Sequence, residues 1–281
     1  MTPMKTTGFF AIAFVSWGLL SGVATALLQA DDGRNENGNS NGNGNGSGNG
    51  NQCISLPSQT ALKLALQTAR SQANGGFNLD MWATLVNRDG EVCALAFTGA
   101  SRGDQWPGSR LISAQKANTA NAFSLPGLVL STANLYSAVQ PGGSLYGLQH
   151  SNPVNTEVGY RGKPANNGQA DDAMVGGRIG GVNVFGGGLA LYNSSHVLVG
   201  AVGVSGDSSC ADHNIAWRTR HNMNLDFLPP GVSGDASRPD NIVYDIVNPP
   251  GLPIGVSASG WGHPACSAAA TAIAGTLPVK R

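Results

Sequence analysis

Two apolar stretches, each folded around a short polar turn, constrain this chain most. In "MWATLVNRDGEVCALAF" (Met81 to Phe97) apolar residues flank Asn87-Arg88-Asp89-Gly90, and in "GGGLALYNSSHVLVGAVGVSG" (Gly186 to Gly206) they flank Asn193-Ser194-Ser195-His196. Strand-forming residues around turn formers read as β-hairpins, so the sheet they build is antiparallel. The segments around them have helical spacing. Leu62, Ala65, Leu66, Ala69 and Ala73 follow i, i+3, i+4, i+7 after Pro57-Ser58, and Leu111, Ala114, Ala117 and Ala120 give a narrow small-residue face between Ser109 and Phe123. A short helix from Leu128 to about Val139 and another from about Cys210 to Leu225 complete the set. The order helix, hairpin, helices, hairpin, helix predicts an α+β fold with an antiparallel sheet flanked by helices, not a doubly wound βαβ sheet.

The rest of the chain divides by composition. Lys5 precedes an apolar run from Gly8 to Leu20, followed by Ala24-Thr25-Ala26, so residues 1–30 read as a secretory signal peptide cleaved after Ala26 or Ala30. The run is short for a membrane span, and no membrane association is expected after cleavage. Residues 31–52 include "NENGNSNGNGNGSGNGNQ", an Asn/Gly tract with no side chain able to build a core, expected to be a disordered linker. Residues 53–228 form the domain proper. Between Leu145 and Gly181 the sequence is Gly/Asn-rich and aperiodic, which predicts a long irregular loop. Residues 229–281 hold eight of the fifteen prolines and read as an irregular strap, with "NIVYDIV" available as an edge strand.

Charge is low and balanced: 16 basic residues face 16 acidic ones and only 11% of residues are charged. Nothing attracts nucleic acid. The 40 glycines point to many tight turns and to subunit contacts that hide surface. Four cysteines beyond the signal peptide, none in a CxxC pair, suggest two disulfides in an exported, periplasmic or secreted protein. Of the three pairings, Cys53 with Cys93 and Cys210 with Cys266 is preferred, since the second pins the extension to the domain.

Candidate chemistry gathers where the second hairpin ends. GVSGD at Gly203 to Asp207 is no nucleophile elbow, because position 207 is Asp rather than Gly. "VGGRIGGVNVFGGG" lacks the Lys-Ser/Thr ending of a phosphate loop. Instead, Gly206 is expected to turn the backbone through a positive φ, and Ser209 with Asp212 has capping-box spacing. The second GVSGD, Gly231 to Asp235, lacks that context and reads as a turn. His213, Trp217 and His221 fall at i, i+4, i+8 in one stripe. The two histidines lie about 12 Å apart along the axis, too far to share one ion. His213 could ligate a haem iron with Trp217 packed on the ring, or the stripe could simply be buried or face a subunit. Arg110, Lys116, Arg218 and Arg220 are open to propionate pairing or to plain solvation.

Three ordered blocks, "ISAQKANTANAF" (Ile112 to Phe123), "FGGGLALY" (Phe185 to Tyr192) and "VGAVGVSGDSSCADHNIA" (Val199 to Ala216), resemble the signature of the GlcG/HbpS family of haem-binding proteins. Lys116, Ala117, Thr119 and Ala120 fall on its helix block, Gly187 and Gly188 on its Gly-Gly strand, and Gly203, Ser205, Gly206 and Asp212 on its last block. The resemblance implies a profilin-like domain, homo-oligomers and a bound haem or related tetrapyrrole. The shared blocks contain no obligatory histidine, so no axial ligand carries over; the His/Trp stripe makes His213 the expected iron ligand, with Trp217, Asp212, Lys116, Thr119 and Gly206 the expected contacts. The Asn/Gly tract, the long loop and the extension depart from the short family pattern. Two other readings stay open: an enzyme acting on a small organic acid or redox cofactor through Lys116, Asp212 and Thr119, and a structural module without catalysis.

Overall fold

A computed structural model describes residues 53–250 and 255–281. The readings for residues 1–30 and 31–52 lie outside the described residues.

The two hairpins merge into one sheet. β1 (Trp82–Asn87) pairs with β2 (Val92–Phe97), β3 (Gly188–Tyr192) pairs with β4 (Leu198–Ser205), and β1 and β4 join antiparallel, giving the order β2-β1-β4-β3. The central register runs from Trp82 opposite Ser205 to Asn87 opposite Gly200. Both faces of the sheet are covered, which is why its strands read as apolar runs rather than alternating ones. On one face lies α2 (Ser109–Phe123); on the other lie α1 (Gln59–Arg70) and α5 (Ser209–Asn222). The architecture is therefore α+β, in helix/sheet/helix layers.

The small-residue face of α2 does what its spacing implies. Ala114, Ala117 and Ala120 are fully buried with Val86, Leu95 and Ala201. The helix comes so close to β4 that a Cβ on Gly203 would lie 1.9 Å from the Ser113 carbonyl oxygen. The opposite core is larger, with Leu62 and Leu66 of α1, Leu85, Leu189 and Val202 of the sheet, and Ile215 and Trp217 of α5. α1 begins as expected, with the Ser58 hydroxyl accepting from Ala61 N.

Three expectations need correction. Residues 128–139 form only two short 3-10 turns, Thr132–Leu135 and Ser137–Val139. Their polar side chains are drawn to other backbone groups: Thr132 Oγ1 donates to Phe185 O and accepts from Gly188 N, and Asn134 Nδ2 donates to Asn241 O. The segment 145–181 is not wholly irregular, since it holds α3 (Leu148–Ser151) and α4 (Thr156–Tyr160). It is pinned to α2 where Arg110 Nε donates to Asp172 Oδ2 at 3.1 Å. "NIVYDIV" does not join the main sheet: β5 (Ile246–Val247) pairs with β6 (Val256–Ser257) in a separate two-stranded ribbon. α6 (Ala268–Ala274) then packs on α5. The second GVSGD is a turn, with Gly234 at φ +80° and the Asp235 carboxylate accepting from Ser237 N.

Candidate functional site

β4 ends at Ser205, and the chain reverses over Gly206–Ser208 into α5. Gly206 is required here for a different reason from the one expected. Its φ is not positive; instead the corner presses on the preceding loop, and a Cβ would sit 2.1 Å from Asp80 O. The helix start is also displaced by one residue from the capping-box reading. Ser208 is the N-cap and accepts Asp212 N through its carbonyl at 2.8 Å, without a side-chain cap. The Asp212 carboxylate reaches back past the cap to Asp207 N, at 2.9 Å.

Its other oxygen takes Lys116. Lys116 Nζ, from α2, lies 2.7 Å from Asp212 Oδ2 and 3.1 Å from Val204 O, and both side chains are almost completely buried. Burial pushes the Asp212 carboxyl up to about 6, while Lys116 opposes that rise. Burial likewise pulls the Lys116 ammonium down, against the attraction of Asp212. This ion pair clasps α2 to α5 across the edge of the sheet. Thr119 does not join it: its hydroxyl donates to Gln115 O and accepts from Asn183 N at 3.0 Å. The polar pocket imagined for Lys116, Asp212 and Thr119 is therefore not assembled, because their hydrogen bonds are used within the chain.

The other basic candidates are likewise occupied. Arg220 forms a buried two-point pair with Asp240, Nη1 to Oδ2 at 2.7 Å and Nη2 to Oδ1 at 2.9 Å. Arg218 donates to Ala73 O, Arg110 to Asp172. Lys116, Arg110 and Arg220 are each paired with a carboxylate inside the fold, whereas Arg218 is partly exposed and meets only neutral acceptors.

Of the His/Trp stripe, His213 and Trp217 are buried and His221 is partly exposed, and the chain's own extension packs against it. Trp217 Nε1 donates to Pro278 O at 2.9 Å, and the Arg220 guanidinium lies 4.5 Å from the Trp217 ring centre. His221, farther along, faces Asp226 at 2.7 Å and Arg281. His213 has no exposed surface, with its ring 6.0 Å from that of Trp217. Among the described residues neither of its ring nitrogens finds a hydrogen-bond partner in good geometry; the Asn241 side chain is near enough only to favour the protonated ring slightly. Burial first, then the Arg220 charge, holds its pKa well below the usual histidine range.

Beside this corner lies a feature that the sequence reading left unassigned. His263, on the strap, is 2% exposed, and its ring centre lies 5.1 Å from that of Tyr136 with the planes tilted at 59°. Its Nδ1 lies 2.8 Å from Pro264 O, which as a pure acceptor requires the N–H there, so Nε2 accepts from Ser209 Oγ at 3.2 Å. Burial brings its pKa down to about 4. Tyr136, Tyr244, Ile246, Asn248 and His263 line a cleft of about 350 Å³. The signal in the sequence was the spacing "HPAC": once Cys266 pairs with Cys210, His263 has to lie near the start of α5. Both disulfides join as preferred, Cys53 with Cys93 and Cys210 with Cys266.

The family model described as haem degrading protein HbpS-like matches residues 56–220. A search of curated proteins finds no match. Among solved structures, a PduOC:heme complex is similar at 23% identity, over 59% of this chain and 91% of that chain, with a TM-score of 0.41. The Klebsiella pneumoniae protein ORFY, of family model DUF336, is similar at 23% identity over 59% and 90%, with a TM-score of 0.40. The family match spans the sheet, α1, α2 and most of α5, more than half of the sequence, and on that ground the chain belongs to the HbpS-like family.

Proposed function

We propose that the protein binds haem and serves, after export, to sequester or sense it. The family match brings haem into question, and the structural observation that supports it is His213. A buried imidazole kept neutral, whose ring nitrogens make no well-formed hydrogen bond and approach only the Asn241 side chain, is in the protonation state that ligates a metal. His213 would hold the iron and Trp217 would flank the ring. Lys116, Asp212, Thr119 and Gly206 would act by shaping the corner rather than by touching the ligand. Bound haem would supply a redox-active iron. His213 has no exposed surface, so part of the extension has to shift before a ligand arrives. The cleft at Tyr136, Tyr244 and His263 would be the way in, and its volume is at the low end of ligand pockets.

The two disulfides fit an oxidising, periplasmic or extracellular location. Among the described residues no helix is long and apolar enough to cross a membrane. Assembly into a homo-oligomer belongs to the same reading and is checked by light scattering on the purified protein.

Titration with haemin tests the function. A saturable Soret shift at micromolar haemin, lost or displaced in His213→Ala, is the expected result; absence of any shift overturns the reading. Decay of the Soret band with a reductant present would extend it to degradation, the activity in the family's description.

A further inference from the structure

The two disulfides differ in the surroundings of their sulfurs. Cys53–Cys93 joins two half-buried residues, Cys93 packing against the main core. Cys210–Cys266 joins a fully buried residue in the first turn of α5 to an exposed residue on the strap, and Cys266 alone of the four cysteines is exposed. Backbone amides support both of its sulfurs: Cys210 N donates to Cys266 Sγ and Cys266 N to Cys210 Sγ, each at 3.2 Å. Ser209 Oγ stands 3.5 Å from Cys266 Sγ and links on to His263.

We infer that Cys210–Cys266 is a thiol-exchange site for dithiol reductants and that its opening loosens the strap from α5. A thiolate of the reductant attacks Sγ of Cys266, the exposed residue of the pair, and forms a mixed disulfide. The Cys210–Cys266 bond breaks, and its electron pair departs on Cys210 Sγ. That thiolate departs in the first turn of a 14-residue helix with the Cys266 N–H beside it, two features that favour the leaving thiolate before the strap moves away. The second thiol of the reductant, deprotonated, then attacks the reductant's own sulfur in the mixed disulfide and expels Cys266 as a thiolate. The reductant leaves as a disulfide, having given two electrons, and the two cysteines take protons from water.

The bridge matters because of what it fastens. Around it the strap meets α5 through His263 on Ser209 and through Ala270 O, which accepts from Asn214 Nδ2 at 3.2 Å. Without the covalent link these contacts open more often. Uncovering His213 as a ligand site rests on the haem reading; the exchange chemistry and the loosening do not.

The test treats the purified, oxidised protein with graded dithiothreitol without denaturant, followed by alkylation and peptide mass spectrometry. Cys210 and Cys266 are expected to label at least tenfold faster than Cys53 and Cys93, and equal or reversed rates overturn the assignment. Hydrogen exchange on the reduced protein, and on Cys266→Ala as a second route to the open bridge, is expected to quicken at least tenfold across residues 255–281. Unchanged exchange in both overturns the loosening. Haemin titration of oxidised and reduced protein separates the two ideas. Tighter binding after reduction supports the latch, and equal binding in both states overturns it. No Soret shift in either state, with rapid exchange retained, overturns the haem reading and leaves the thiol site standing.

Discussion

Burial sets the protonation of the two histidines at the start of α5, and that makes acid a specific probe of this corner. His263 is held at about 4 and His213 well below 6.5, both mainly by desolvation. Between pH 6.5 and about 4 the unfolded chain takes up these two protons and the folded chain does not, so stability falls on acidification. Each group contributes a slope of about 1.4 kcal/mol per pH unit inside its window. Asp212, pushed up to about 6, works in the opposite sense between 3.8 and 6, because there the folded state is the one that keeps the proton. Two groups against one leave a net loss: urea midpoints are expected to drop from pH 6.5 to 4, and His263→Gln should flatten the curve. Lys116→Ala removes one partner of a buried pair and strands the other, which costs about 3–5 kcal/mol in such settings, measurable by the same unfolding curves at pH 7. The sequence showed Asp212 near a helix start but not its partner 96 positions away. Only the family blocks placed Lys116 and Asp212 side by side.

Among the elements, those with a strong apolar period were legible and those held by side chains were not. α1, α2 and both hairpins follow from spacing and turn residues, because burying one face of each requires that spacing; α5 is buried on most sides, carries no apolar stripe, and was marked by the turn and the Ser/Asp pattern at its start. The 3-10 turns after Ser131 do not follow from spacing, since Thr132 and Asn134 bond to partners more than fifty positions away. Gly203 was visible as a glycine but not as the point where α2 meets β4. Replacing it with Ala would drive a Cβ into the Ser113 carbonyl, so Gly203→Ala is expected to cost about 3 kcal/mol or more by thermal or urea unfolding. The Cys210–Cys266 bridge closes a loop with a sequence separation of 56. On the chain-entropy model Cys210→Ser with Cys266→Ser should lose about 4 kcal/mol, read from unfolding midpoints under non-reducing conditions.

At the level of the whole molecule the extension is part of the fold rather than an appendage. Leu277 is 1% exposed within the main core, Ala270 is buried beside Cys210, and Asp240 neutralises Arg220. Ending the chain after Leu228 should therefore expose the Trp217 face and leave Arg220 without its partner. The expected result is a melting midpoint lower by about 10 °C or more, with red-shifted tryptophan emission. Composition marked this segment as different through its prolines, yet gave no hint that it seals α5, since burial by a distant partner leaves no period in the partner's own sequence.

The family match stops at residue 220, the arginine whose counter-charge lies on the extension. A relative ending near that point has to dress the outer side of this helix differently, with hydrophilic side chains or with a neighbouring subunit. Gain or loss of the tail during evolution is thus tied to changes at Trp217 and Arg220, and those two positions should reveal, in any related sequence, whether a tail of this kind is present.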